Sequence, residues 1–227
     1  MSDISLQEMV KNAVHFGHPT HKWNPKMKPY LYGKKHGIHI FDIKQTAQGL
    51  LKALDFLANA ARGNKTILFV GTKQQSHAKL TEIKKDTQMP IVTDKWIPGL
   101  LTNFKTIKQR INYFKQLKED DAKGALSKYT KKEQVKLRKK IQKLSASLSG
   151  VEEMDKTPDV LFVVDVVRDH IPVKEARRLK VPVVAIVDSN ADPDLVDFPI
   201  PANDDAIKSI EYILDLAKEA ISTKAKK

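Results

Sequence analysis

The chain has 227 residues, 41% of them hydrophobic, 30% charged and 7% aromatic, with 40 Lys and Arg against 27 Asp and Glu for a formal charge of +13. No apolar run approaches the roughly 18 to 20 residues that a membrane-spanning helix requires, and the lack of cysteine excludes disulfides, thiolate zinc sites, iron–sulfur clusters and cysteine nucleophiles. The first ten residues carry two acids and no basic residue, unlike a secretory signal or an Arg-rich transit peptide, so the expected location is the cytoplasm, or an organelle that makes the protein itself.

A short helix is expected over Leu6 to Val14. After it, Gly17, Pro19, Pro25, Pro29 and Gly33 interrupt regular structure and predict a loop-rich segment. That segment interleaves Lys22, Lys26, Lys28, Lys34 and Lys35 with Phe16, Trp23, Tyr30 and Tyr32. The mixture suits phosphate contact plus stacking on exposed bases, or equally aromatics packed inward beneath solvated lysines. Gly37 to Asp42 alternates as a short strand. From Ile43 to Arg62 apolar residues recur at three and four, predicting an amphipathic helix that ends near Gly63. Thr66 to Val70 then reads as a buried strand, turned by Gly71-Thr72-Lys73 into a helix reaching about Asp86, with a further short strand at Pro90 to Val92. Strand, glycine and helix in this order open a parallel α/β sheet.

The stretch from 102 to 150 is different, with a net charge of +10. Phe104, Ile107, Ile111 and Phe114 on one side of it, and Leu137, Ile141, Leu144 and Leu148 on the other, step by three and four as in a coiled-coil seam. Thr130-Lys131-Lys132-Glu133 is a capping-box pattern and Gly150 suits a stop. The prediction is an antiparallel helical hairpin with arms of roughly 25 to 30 Å, charged on its other faces and projecting from the body. Strands then follow at Val160 to Val164 and Val183 to Val187, with a helix between them around Lys174 to Leu179. Phe198 to Pro201 suits only an edge strand because of its prolines. A last helix runs from about Asp205 to Ser222, before a tail bearing Lys224, Lys226 and Lys227. The whole segment from Val151 onward is net acidic, at −5, which predicts that it faces away from a polyanion and toward protein neighbours.

In open parallel sheets ligands gather beyond the carboxyl ends of the strands, and those positions are rich in acids: Asp165, Asp169, Asp188, Asp204 and Asp205. Such a cluster could hold Mg²⁺ for phosphoryl transfer, so a Mg²⁺-dependent phosphatase or nucleotide-binding enzyme using Asp165, Asp188 and Asp204 is the rival reading. Asp at a strand end more often caps a helix or forms a turn. Gly71-Thr72-Lys73 lacks the glycine spacing of a P-loop, although its backbone N–H groups with Lys73 suit one nucleic-acid phosphate. His15, His18 and His21 could ligate zinc, but Gly17 and Pro19 break a shared helical face. No Gly-x-Ser-x-Gly elbow occurs.

The string His15-Phe16-Gly17-His18, followed by Trp23-Asn24-Pro25-Lys26-Met27-Lys28-Pro29-Tyr30 and Gly37-Ile38-His39-Ile40, resembles the opening of the small-subunit ribosomal protein two family in its bacterial form. Val70-Gly71-Thr72-Lys73, Leu101 to Thr106, Pro158-Asp159, Ile186 to Asn190 with Asp192-Pro193, and Ile200-Pro201 with Asn203-Asp204-Asp205-Ala206 follow in the family's order. The resemblance implies a flavodoxin-like parallel sheet flanked by helices, with a helical coiled-coil hairpin insertion over 103–150 in a body formed by 1–102 and 151–227. It implies no catalytic activity, binding to small-subunit rRNA where head meets body on the solvent side, contacts with neighbouring ribosomal proteins, and a part in seating ribosomal protein one. The RNA-contacting set expected on that basis is Lys22, Trp23, Asn24, Lys26, Lys28, Lys34, Lys35, Lys73, Lys95, Asn103, Lys105, Lys108 and Arg110. Asp188 and Asp204 are weak candidates for a structural Mg²⁺. Two departures stand out: Pro98-Gly99 replaces the family's paired glycines after the tryptophan, and Ala202 replaces the glycine of Pro-Gly-Asn-Asp-Asp.

Overall fold

The computed structural model describes residues 4–222; the lysines expected in the C-terminal tail lie outside them. The body is a five-stranded parallel sheet. Its strands are β4 (Ile67–Val70), β5 (Ile91–Val92), β6 (Val160–Val163), β7 (Val183–Val187) and β8 (Phe198–Pro201), in the order β5-β4-β6-β7-β8. Counted within the sheet this is 2-1-3-4-5, the flavodoxin-like order, and the chain reverses direction between β4 and β6. The proline-bearing strand lies at an edge, as expected.

Strand residues alternate between two cores, the period-two consequence of the pleat. Ile67, Phe69, Val160, Phe162, Val184 and Ile186 enter one; Leu68, Val70, Leu161, Val163, Val183 and Ala185 enter the other. The first core is covered by helices α1 (Leu6–Lys11), α2 (Ile43–Arg62), α3 (Gln74–Thr87) and α7 (Ile207–Ser222). The second takes α6 (His170–Arg178), and with it the base of α4 (Phe104–Ala122) and of α5 (Lys131–Leu148). Local chemistry sets the ends. The Asp42 side chain accepts from Lys44 N at the start of α2, and Asn203 Oδ1 accepts from Asp205 N and Ala206 N, delaying α7 to Ile207. α6 begins a turn earlier than expected because Pro172 lies in its first turn, where a missing N–H costs nothing.

The N-terminal segment corrects the expectation of loops. β1 (Phe16–Pro19), β2 (Leu31–Lys35) and β3 (Ile38–Phe41) form a separate antiparallel sheet in the order β1-β3-β2. β3 is the short strand expected over Gly37 to Asp42, whereas β1 is too short and β2 too exposed to leave an alternating signature. The tight turn between β2 and β3 uses His36 at φ 50° and Gly37 at φ 77°, the double left-handed geometry of a hairpin turn.

The seam of α4 is buried through Ile107, Ile111, Phe114 and Leu117, while α5 buries only Leu148 fully. The Thr130–Glu133 capping box is present. Gly150 holds the base: a Cβ there would lie 2.0 Å from the Ile91 carbonyl oxygen.

Candidate nucleic-acid interface

The expected contact residues fall into three groups with different surroundings. At the N-terminal sheet, Lys22, Lys28, Lys34 and Lys35 are exposed, and the β2–β3 turn lifts the last two into solvent. Tyr32 beside them is 83% exposed, whereas Met27 is buried, so the aromatic and apolar residues divide between outward and inward roles. Trp23 is half-buried with its ring 5.1 Å from that of His39. Asn24 Oδ1 caps Lys26 N at 3.0 Å, and Asn24 N donates to Ser189 O at 2.7 Å. Lys26 is tied down by Asp192 and Asp194, both at 2.8 Å.

The second group begins at the loop before α4. Lys95, Asn103, Lys105 and Arg110 are exposed. Asn103 occupies the N-cap of α4, yet its side chain makes no capping bond, which leaves the amide for an external partner. Lys108 is engaged from within, donating to Met154 O and Asp155 Oδ1 at 2.8 Å each. This loop is fastened by a residue that sequence reasoning missed. Glu175, buried on α6, accepts from Trp96 Nε1 at 3.0 Å and Gly99 N at 2.7 Å through one oxygen. Its other oxygen accepts from Leu101 N at 3.0 Å, Thr102 N at 3.1 Å and Thr102 Oγ1 at 3.2 Å. Burial alone would raise its carboxyl pKa, but the Trp96, Gly99, Thr102 and Leu101 donors outweigh it and hold the group below the usual range. No spacing rule links position 175 to 96–102; only the tertiary fold does.

The third group, Lys73 and the turn around it, is a correction. Lys73 is buried, and its ammonium lies 2.8 Å from Asp165, 2.6 Å from Asp204 and 2.7 Å from Asp205. The turn's N–H groups are also occupied: Thr72 N donates to Asp169 at 3.2 Å and Gly71 N to Val92 O at 3.0 Å. The Lys73 ammonium is thus committed to carboxylates inside the fold rather than offered to a phosphate. Lys73 instead fills the crevice at the reversal point of the sheet, where this fold usually places a ligand.

The acids around Lys73 form one network with His18. Asp188 Oδ1 lies 3.1 Å from His18 Nδ1 and accepts from His18 N at 3.2 Å, while Asp205 lies 3.3 Å from His18 Nε2. The hydrogen bond to Asp188 raises the His18 pKa. Burial lowers that of Lys73, but Asp204, Asp165 and Asp205 overcome it and raise it. Burial, with Asp188 and Asp165 nearby, pushes Asp204 up to about 8. Four carboxylates face one ammonium and one imidazole there, and the Lys73 ammonium, 2.6 Å from Asp204, opposes that rise. Asp188 and Asp204 come together as expected, with ligand atoms of His18, Asp188 and Asp204 all within 4.8 Å of one another. Imidazole plus carboxylates suits a zinc-class ion better than Mg²⁺, and the Lys73 ammonium already supplies the local positive charge. The same ammonium ties up Asp165 and Asp204, two of the three acids on which the enzyme reading depended.

The sequence model described as ribosomal protein S2 matches residues 9–224. The chain belongs to the ribosomal protein S2 family. Relatives named small ribosomal subunit protein uS2 are 43% identical in Coprothermobacter proteolyticus, over 97% of this chain and 82% of theirs, and 45% identical in Geotalea uraniireducens, over 97% and 86%. A relative from Phaeodactylum tricornutum named uS2c is 44% identical over 97% of this chain and 98% of its own. The two departures from the S2 pattern are accommodated locally. Gly99 keeps a left-handed φ of 87° after Pro98 and donates to Glu175. Ala202 is fully buried and is not among the residues with positive φ, so its position makes no demand for glycine. No helix among the described residues is long and apolar enough to cross a membrane.

Proposed function

We propose that this chain is a structural constituent of the small ribosomal subunit that binds rRNA at the junction of head and body. The observation that carries this reading is the loop before α4. It presents the free Asn103 amide together with exposed Lys105 and Arg110, and a buried carboxylate holds it rigid. The Lys34–Lys35 turn supplies a second cluster of charge, with Tyr32 beside it for stacking on an unpaired base. In this reading 103–150 is an insertion into the body formed by 1–102 and 151–227. The reading includes a part in seating ribosomal protein one, and it predicts that subunits lacking this chain lose protein one.

Binding should weaken steeply with salt because counterions are released as phosphates are neutralised. Replacing Lys34 and Lys35 with Gln should lower the magnitude of the slope of log K against log salt by roughly 1.4 to 1.8. In a sucrose gradient the protein should travel at about one copy per small subunit in Mg²⁺ and dissociate at high salt. Sedimentation as a free protein in both conditions would refute the proposal.

A further inference from the structure

By sequence count the segment from Val151 onward is acidic, at −5, yet five of its sixteen acids are turned inward. Asp165, Asp169, Glu175, Asp188 and Asp204 are buried. Glu152, Glu153 and Asp155 pair with Lys118, Lys115 and Lys108 of α4. The outer surface of α6 is therefore set by what remains. Both acids of that stretch are engaged, Asp169 by Thr72 N and Oγ1 at 3.2 and 2.8 Å, and Glu175 by the 96–102 loop. Arg168, Lys174, Arg177, Arg178 and Lys180 are all exposed.

An ordinary account of basic residues on a helix is that they stabilise its carbonyl end. That covers Arg177 and Arg178, which lie in the last turn. It does not cover Lys174 in mid-helix, nor Arg168 before the helix, where positive charge opposes the dipole; Arg168 is held there by Thr72, to whose Oγ1 its Nε donates at 2.9 Å. The helix is also linked to the proposed RNA surface at two places. Glu175 fastens α6 to the loop that delivers Asn103 and Lys105. On the other side Arg177 is near enough to act on the carboxyl of Asp192, the partner of Lys26.

We propose that the outer face of α6, through Arg168, Lys174, Arg177, Arg178 and Lys180, is a further contact surface for RNA phosphates, bridging the N-terminal basic segment and the start of α4. It rests on the reading of the chain as an rRNA-binding protein and adds a face that the net charge of the C-terminal region conceals.

The test uses the full chain and a transcript of small-subunit rRNA, with affinity measured across a potassium chloride series. Arg177→Gln with Arg178→Gln should still unfold cooperatively, at a slightly lower midpoint for the lost charge at the end of α6, and lower the magnitude of the salt slope by roughly 1.4 to 1.8. A wild-type slope in this double variant, while Lys34→Gln with Lys35→Gln lowers it, would overturn the α6 surface and leave the broader reading standing. That outcome would include the case in which α6 meets an acidic protein instead. Wild-type slopes in both double variants would remove the broader reading and the α6 surface with it. If the arginine variant lost its cooperative unfolding, Lys174→Gln in mid-helix would carry the same comparison, with an expected change of roughly 0.7 to 0.9.

Discussion

Replacing Glu175 with Gln tests whether a single carboxylate organises the loop before α4. The substitution preserves volume but offers one acceptor oxygen and one amino group where two acceptors now serve five donors. Whichever way the amide turns, two backbone or indole N–H groups meet another donor. A buried donor left unmade costs about 1 to 3 kcal/mol, and because Thr102 is exposed the two oxygens are not equivalent. The better orientation sacrifices the Leu101 and Thr102 side, for a total of about 3 kcal/mol. For a chain of this size that corresponds to a fall in melting temperature of roughly 6 to 12 °C. Urea unfolding should show a lower midpoint at unchanged m, and amide exchange should accelerate at Gly99, Leu101 and Thr102 ahead of the β4 and β6 amides. The wild-type carboxyl is held below its usual range, so its stabilisation is present above about pH 4.5 and is lost as pH falls through the depressed value; the Gln variant should lack that acid-side loss. A change under about 1 kcal/mol, with exchange in the loop unaltered, would refute the reasoning.

Gly150→Ala should be strongly destabilising, because the new Cβ would meet backbone, the Ile91 carbonyl oxygen at 2.0 Å, rather than a side chain that can move; a wild-type denaturant midpoint would contradict it. Thr130→Ala should remove the capping box of α5 at a cost of about 1 kcal/mol, seen as faster exchange in the first turn of that helix with little change at β6. In buffer containing a chelator, stability should fall as pH rises from about 6.5 past about 8. His18, raised by Asp188, loses its stabilising proton there, and Asp204, protonated in the fold but ionised when unfolded, changes with the same sign. His18→Gln should flatten that decline, and a profile that rises over the interval would count against the network.

Much of the body was legible because its signals are local. The apolar stripe of α2, the β-branched runs of β4, β6 and β7, and the prolines of β8 each name an element without reference to anything distant. In the N-terminal sheet only β3 was legible, since β2 is exposed along most of its length and its pairing with β3 is fixed by a turn rather than by a buried face. Residues such as Lys34, Lys35 and Asn103 were found as surface groups and remain on the surface. Lys73 had the same chemistry on paper and the opposite fate, because the carboxylates that enclose it arrive from β6 and from the approach to α7, roughly ninety to one hundred and thirty residues later.

That difference bears on how charge should be read in this molecule. A sum along the chain treats every ionisable group as equal, and here it set a basic middle against an acidic end. In the fold, Glu152, Glu153 and Asp155 neutralise lysines of α4, so the hairpin base is less basic than its count. The buried acids behind α6 leave that helix more basic than its surroundings suggest. Long-range attraction of a polyanion depends on the charges that remain outside, within a screening length of about 8 to 10 Å. The contrast that matters for binding therefore runs from one face to another of the C-terminal region as well as between the two halves of the sequence. Glu175 stands at that boundary: its carboxylate is removed from the surface and in the same act fixes the loop that offers Asn103 and Lys105.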